Sequence, residues 1–202
     1  DLALYEAKNL GKNRHALFIP MMHELAVDRM QLTGDLRRAI DERELTVHYQ
    51  PIVDLELDRT VGVEALVRWR HPTRGTIGPA QFIPLAEETG LVVPLGRDIL
   101  RQALGTVGKW QRRLPAFEQL YVSVNLSARQ LQQDTVVDDV RFALAESGVR
   151  PQSVILEITE TVLLPDEGVT LERLQSLNAL GVRLFIDDFV GVQPNPSGRL
   201  YR

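Results

Sequence analysis

"LTVHYQPIVDLELDRTVGVEALVRW", Leu45 to Trp69, holds two strand-like runs joined by only a few residues around Asp58. A parallel crossover needs a dozen or more residues, so a connection this short predicts antiparallel neighbours. Beyond Trp69 the rhythm changes. "PAQFIPLAEETG" and "LGRDILRQALGTVGKWQRR" have helical spacing and precede the strand-like "YVSVNLS"; a helix near Thr135 to Ser147 precedes "SVILEITE", and one near Thr170 to Leu180 precedes "VRLFIDD". Strand and helix alternate, which predicts a parallel sheet wrapped by helices. Gly148, followed shortly by Pro151, and Gly181 stand where a helix should stop before the next strand begins.

Upstream of the hairpin, Leu25, Leu32, Leu36 and Ile40 recur at helical spacing among charged residues, which predicts a connecting helix from Pro20 to about Glu44 with one buried stripe. Leu2, Tyr5 and Leu10 mark a shorter amphipathic helix closed by Gly11. The chain opens on Asp1 inside this helical pattern, and the expectation is a piece of a longer protein with a further domain upstream.

The 202 residues carry a net charge of -4, with 44% hydrophobic and 25% charged residues, which places the chain near the globular average and away from disordered or fibrous classes. Mild acidity argues against a general nucleic-acid binder, although local arginines or bound cations still allow an anionic ligand. With no cysteine, disulfides, thiolate metal sites and cysteine nucleophiles are excluded together. No apolar stretch reaches membrane-spanning length, and a cytoplasmic location is the expectation.

Side chains alternate across a strand, so parity decides which residues share a face. Glu64, Leu66 and Arg68 oppose Val63, Ala65 and Val67. Tyr121, Ser123 and Asn125 oppose Val122, Val124 and Leu126. Glu157 shares a face with Ile155 and Thr159, and Asp187 aligns with Phe185, with Asp188 one step on. Four strands thus each place a carboxylate or amide near the C-terminal end, on the face opposite the aliphatic one. In a closed barrel these ends converge at the rim where such folds build their sites. The set Glu64, Asn125, Glu157, Asp187 and Asp188 is all oxygen donors, which points to Mg²⁺ or Mn²⁺, with Ca²⁺ as a substitute or inhibitor. Consecutive carboxylates can serve two ions roughly 3.5 to 4 Å apart, the arrangement used in phosphoester cleavage. Arg68 has the planar fork to meet a phosphate or a guanine edge.

Each of these residues also has a plainer reading. Asp187 and Asp188 can form a turn or a helix cap, Glu64 can pair with Arg68, Asn125 can cap the following helix, and Glu157 can be a satisfied barrel carboxylate. His48 reads as a satisfied strand residue, His71 beside Pro72 as a turn residue, and Trp69 and Trp110 as core anchors. The Arg-rich "RWRHPTRG" reads equally as solvated surface or as an anion contact. The ligand types alone also permit an unrelated divalent-metal barrel such as an enolase-like lyase.

"YQPIVDL", "GVEALVRWRHP", "FIPLAEETG", "VSVNLSARQL", "LEITET" and "IDDF" together resemble the EAL-domain phosphodiesterases of bacteria, from about Asp35 to Phe189. "LALYEAKNLGKNR" resembles the last helix of a GGDEF diguanylate cyclase domain. The resemblance divides the chain into a GGDEF remnant at 1–18, a linker helix at 19–44 and an EAL domain at 45–202. It implies an α/β fold, an incomplete TIM-type (β/α) barrel with an antiparallel first strand, about five of the eight strands being present. It further implies hydrolysis of cyclic di-GMP to linear pGpG with Mg²⁺ or Mn²⁺. Glu64, Asn125, Glu157 and Asp187 would ligate metal and Asp188 would serve a second ion. Gln50, Leu66 and Arg68 would touch substrate, and Glu160 would brace the loop after its strand. An EAL homodimer and the upstream GGDEF domain are the implied partners.

Two departures bear on activity. The family continues "DDF" with Gly-Thr-Gly-Tyr-Ser-Ser, whereas Val190 to Ser197 here reads "VGVQPNPS"; and the family's catalytic Lys on the next strand has no counterpart, no Lys following Lys109. The expectation is a chain that is inactive alone and associates through its open sheet edges, with a non-catalytic module that binds cyclic di-GMP or docks a partner as the alternative.

Overall fold

In the computed structural model, which describes residues 20–42, 44–159 and 167–187, strands Leu45–Asp54 (β1) and Arg59–His71 (β2) form the antiparallel hairpin that their short connection demands. Asp54 makes the turn: its Oδ1 accepts the N–H of Glu56 at 2.9 Å and of Leu57 at 3.0 Å. Asp58 completes it at φ 45°, a left-handed conformation that aspartate tolerates better than most residues. The register slips once, between Ile52 and Val53, a bulge of the kind that sharpens strand twist. A tight turn after His71 returns Gly75–Ile77 (β3) antiparallel against the end of β2.

The strands that follow, Tyr121–Leu126 (β4), Val154–Thr159 (β5) and Arg183–Asp187 (β6), are parallel to β2 and to one another. The sheet runs β1-β2-β4-β5-β6 with β3 on β2. Among the described residues β1 and β6 remain as edges, so the barrel predicted from the alternation is present as an open sheet.

The covering helices are Pro20–Glu42 (α1), Pro79–Thr89 (α2), Val92–Arg113 (α3), Ala128–Leu131 (α4), Val136–Ser147 (α5) and Glu167–Ala179 (α6). Two of them stop at the predicted glycines: Gly148 follows α5 at φ 68° and Gly181 lies just beyond α6 at φ 89°, angles that cost glycine nothing sterically. No described helix is long and apolar enough to cross a membrane.

Parity sorts the sheet as expected. Val63, Ala65, Val122, Val124 and Leu156 are buried against Leu104 and Val107 of α3 and Val140 and Leu144 of α5. A second cluster forms around Trp69, which is wholly buried, meets the Phe82 ring edge-on at 5.7 Å and packs with Leu36 and Ala39 of α1. Each large side chain so buried contributes about 1.5–3 kcal/mol relative to exposure. Trp110 is half-buried and packs edge-on against Tyr49 at 4.8 Å. His71 departs from its expected place: it is the last residue of β2, and its side chain is only 3% exposed. The turn begins after it, because the ring is held from both sides by partners described below.

Helices α3 and α5 approach so closely that a Cβ on Gly108 would lie 2.7 Å from the Ser147 carbonyl oxygen, whereas a Cβ on Gly105 would meet nothing within 4 Å. Gly108→Ala should therefore destabilise the domain by about 1–3 kcal/mol through overpacking, while Gly105→Ala should stabilise it by about 0.5–1 kcal/mol through helix propensity alone. Urea unfolding of both variants checks the opposite signs.

Candidate active site

Glu64 lies at mid-β2, opposite Gln50 on β1 and beside Ser123 on β4. Asn125, two residues beyond Ser123, is beside Glu157 on β5; Glu157 is beside Phe185 on β6, and Asp187 is beside Thr159. Residues in register point to the same face of a sheet, so the pairing alone puts Gln50, Glu64, Asn125 and Glu157 on the face turned away from the helices, and Asp187 holds the register position opposite Thr159. Leu66 and Arg68 continue that face toward the end of β2.

One contact joins two of these groups directly. Asn125 Nδ2 donates to Glu64 Oε1 at 3.4 Å, the long end of a hydrogen bond, and the pair bridges β2 and β4. Two of the plainer readings are thereby answered. Glu64 has Asn125 rather than Arg68 as its hydrogen-bond partner, and Arg68 Nη1 donates to the Val67 carbonyl at 2.8 Å. Nor does Asn125 cap the helix after β4. Ser127 does so in a reciprocal capping box: its Oγ accepts from Gln130 N at 3.3 Å, and its N–H donates to Gln130 Oε1 at 3.1 Å. Asn125 is left exposed on the face it shares with Glu64.

Among the described residues, no three His, Asp or Glu side chains gather closely enough to hold an ion. Glu64, Asn125, Glu157 and the strand position of Asp187 are among the described residues; Asp188, Glu160 and the segment Val190 to Ser197 lie outside them, as do residues 1–18. The donors present are hard oxygens, which fit Mg²⁺ or Mn²⁺ in kind.

Below this level the face carries Tyr121 and Arg183, with the guanidinium 5.0 Å from the ring centroid. Burial pushes the Tyr121 phenol above its ordinary pKa; Arg183 opposes that and Glu157 adds to it. Ser123, wholly buried beside Glu64, has an Oγ with no hydrogen-bond partner among the described residues. Gly96 lets the capping box form: a Cβ there would lie 1.9 Å from Gln130 Nε2. Neither Ser123 nor Gly96 is marked in the sequence by any local pattern, whereas "SARQ" carries the S-x-x-Q signature openly.

A mainly parallel sheet with helices on one face and, on the other, oxygen donors running from the middle of β2 to the C-terminal halves of β4 and β5 defines a barrel-type domain with its candidate site toward the C-terminal rim. Residues 33–197 match the EAL domain family model, and the chain belongs to that family. It is 42% identical over 189 residues to the bifunctional diguanylate cyclase/cyclic di-GMP phosphodiesterase MucR of Pseudomonas aeruginosa, covering 94% of this chain and 27% of MucR. It is 35% identical over 189 residues to the cyclic di-GMP phosphodiesterase PdeR of Escherichia coli, covering 94% of this chain and 28% of PdeR. The chain thus spans about a quarter of the length of the curated relatives it matches. Among solved structures, the MucR phosphodiesterase in complex with c-di-GMP superimposes with a TM-score of 0.74 at 42% identity, over 82% of this chain and 66% of that one. The EAL enzyme Bd1971 with cAMP and cyclic-di-GMP bound gives 0.77 at 28% identity, over 94% and 49%. The α/β, TIM-type fold read from the sequence is that of these EAL-domain neighbours, and in this chain the described strands form an open part of it.

The capping box sets where the chain leaves β4, and so where Asn125 sits. Ser127→Ala should cost about 0.5–2 kcal/mol of stability. Gln130→Ala should give a loss of the same order, and the double variant should lose less than the sum because the two residues act as one unit. A double-mutant cycle by urea unfolding measures this.

Proposed function

We propose that the protein containing this chain hydrolyses cyclic di-GMP to linear pGpG. The observation that carries the reading is the Glu64–Asn125 contact at the rim, in register with Glu157 and next to the strand position of Asp187, in a chain of the EAL family. Glu64, Asn125, Glu157 and Asp187 would hold a divalent ion, Mg²⁺ or Mn²⁺, and Asp188 would serve a second. Such ions supply a nucleophile from water at neutral pH and neutralise charge on the phosphodiester.

The chain's own residues then have distinct tasks. Arg68, whose guanidinium donates to its neighbour's carbonyl, can turn to a phosphate oxygen or a guanine edge. Leu66 supplies an apolar contact for a base, and Gln50, exposed opposite Glu64, an amide for its polar edge. Glu160 would brace the loop following β5. Water attacks phosphorus, the bond from phosphorus to the 3′ oxygen breaks, and the departing oxygen takes a proton, leaving a 5′-phosphate and a 3′-hydroxyl on the linear product. The upstream GGDEF domain and a second EAL domain are the protein partners this reading brings with it.

A second reading has one specific support: "VGVQPNPS" stands where the family pattern after "DDF" would be, which favours a module that binds cyclic di-GMP without turning it over. Hydrolysis and binding, measured separately on the full-length protein with Mn²⁺, discriminate the two. Turnover to pGpG establishes the enzyme; tight binding with no product establishes the sensor.

For the enzyme, Glu64→Gln should lower kcat at least about 100-fold, because a metal ligand is lost while the fold stays intact. Arg68→Ala should raise KM about tenfold with a smaller change in kcat. Stripping the protein with EDTA should abolish turnover; Mg²⁺ or Mn²⁺ should restore it and Ca²⁺ should not. Product chromatography follows all three.

A further inference from the structure

The end of β2 that carries Leu66 and Arg68 is tied to helix α1, which lies outside the sheet and supplies none of the candidate site residues. Asp35 Oδ2 of α1 is 3.2 Å from Nε2 of the buried His71. The other ring nitrogen, Nδ1, accepts the backbone N–H of Thr73 and of Arg74, both at 3.2 Å. Two donors on Nδ1 fix the tautomer: the proton is on Nε2 and is donated to Asp35. A second tie follows the helix. Glu44 Oε2 accepts from Trp69 Nε1 at 3.2 Å, and its carbonyl accepts the Arg70 N–H at 3.1 Å. A third runs outside these, from Asp28 to Arg74 at 2.7 Å, and holds the Asp28 carboxyl below its ordinary pKa. Residues 69, 70, 71 and 74 are thus all fastened to α1 or to Glu44 just beyond it, immediately after Arg68.

We propose that Asp35 and His71 are positioning residues for nucleotide binding: their hydrogen bond holds the outgoing end of β2 so that Arg68 and Leu66 face the mouth. The inference rests on the reading of Arg68 and Leu66 as nucleotide contacts. His71 is suited to the task because it joins three segments at once: its own strand, the turn behind it and α1. Its ring also packs at 5.1 Å from Trp69, which anchors the second core cluster, so tilting the imidazole disturbs a fully buried side chain. Arg38, which also contacts Asp35 at 3.1 Å, is on the solvent side of the helix and is not part of the tie.

The test uses the full-length protein and two readouts: cyclic di-GMP affinity by calorimetry with Ca²⁺ present, and amide hydrogen exchange in the absence of nucleotide. Asp35→Ala should weaken binding about tenfold and speed exchange at residues 66–71 while leaving residues 121–126 of β4 unchanged. His71→Asn keeps an acceptor for the turn but loses the donor to Asp35, and should do the same. Asp35→Asn retains an oxygen for Nε2–H and should stay within about twofold of the parent, as should Arg38→Ala. Unchanged exchange at 66–71 in Asp35→Ala overturns the inference, and so does exchange that rises equally across β2, β4 and β5, which is general destabilisation. If the parent protein fails to bind cyclic di-GMP, the functional reading falls, and local exchange still decides whether α1 holds this strand.

Discussion

Pairing in register between parallel strands is the constraint on which this structure depends. It converts a local property, the alternation of side chains along each strand, into a global one, a sheet with one aliphatic face and one polar face. Because Val63, Ala65, Val122, Val124 and Leu156 are all committed to the helices, Glu64, Asn125 and Glu157 have no freedom about which way they point. A slip of one residue at any interface would bury a carboxylate without a partner, at a cost of several kcal/mol. The packing that stabilises the fold therefore also enforces the orientation of the oxygen donors.

Local hydrogen-bonding devices hold the ends of β2 and β4 near that face. Ser127 and Gln130 close the exit from β4. Glu44 and His71 close the exit from β2, one by accepting from a buried indole and a backbone amide, the other by accepting two backbone amides while donating to a helix. At the far hairpin, where β1 turns into β2, Asp54 and Asp58 shape the turn, and Leu55 and Leu57 are left exposed. The exits of β2 and β4 are thus each held by side chains, as a site needing fixed geometry requires.

Much of this was legible in the residues and some was not. The hairpin could be read because a few residues between two strands admit one geometry, and the faces could be read because a period of two needs no knowledge of neighbours. Glycine after α5 and α6 marked their ends for an equally local reason. The Glu64–Asn125 contact joins residues 61 apart in sequence and depends on the offset between two strands, which no local pattern encodes. His71 looked like part of a turn because Pro72 follows it; its burial comes from Asp35 and Trp69, one of them 36 residues upstream. The plainer reading of Asn125 as a helix cap could be set aside from the sequence itself, because "SARQ", two residues further on, carries the stronger capping signature.

The donors do not lie straight across the sheet. Asn125 is two residues ahead of Glu64's partner, Glu157 is level with Asn125, and Asp187 is two ahead of Glu157's partner. Such a staircase is the shear of a barrel whose strands tilt against its axis, and climbing it keeps successive oxygens at one altitude as the wall curves. The lengths of the helical connections can therefore vary without harm, whereas inserting a single residue inside β4 or β5 would drop one step of the stair and turn its oxygen into the wall.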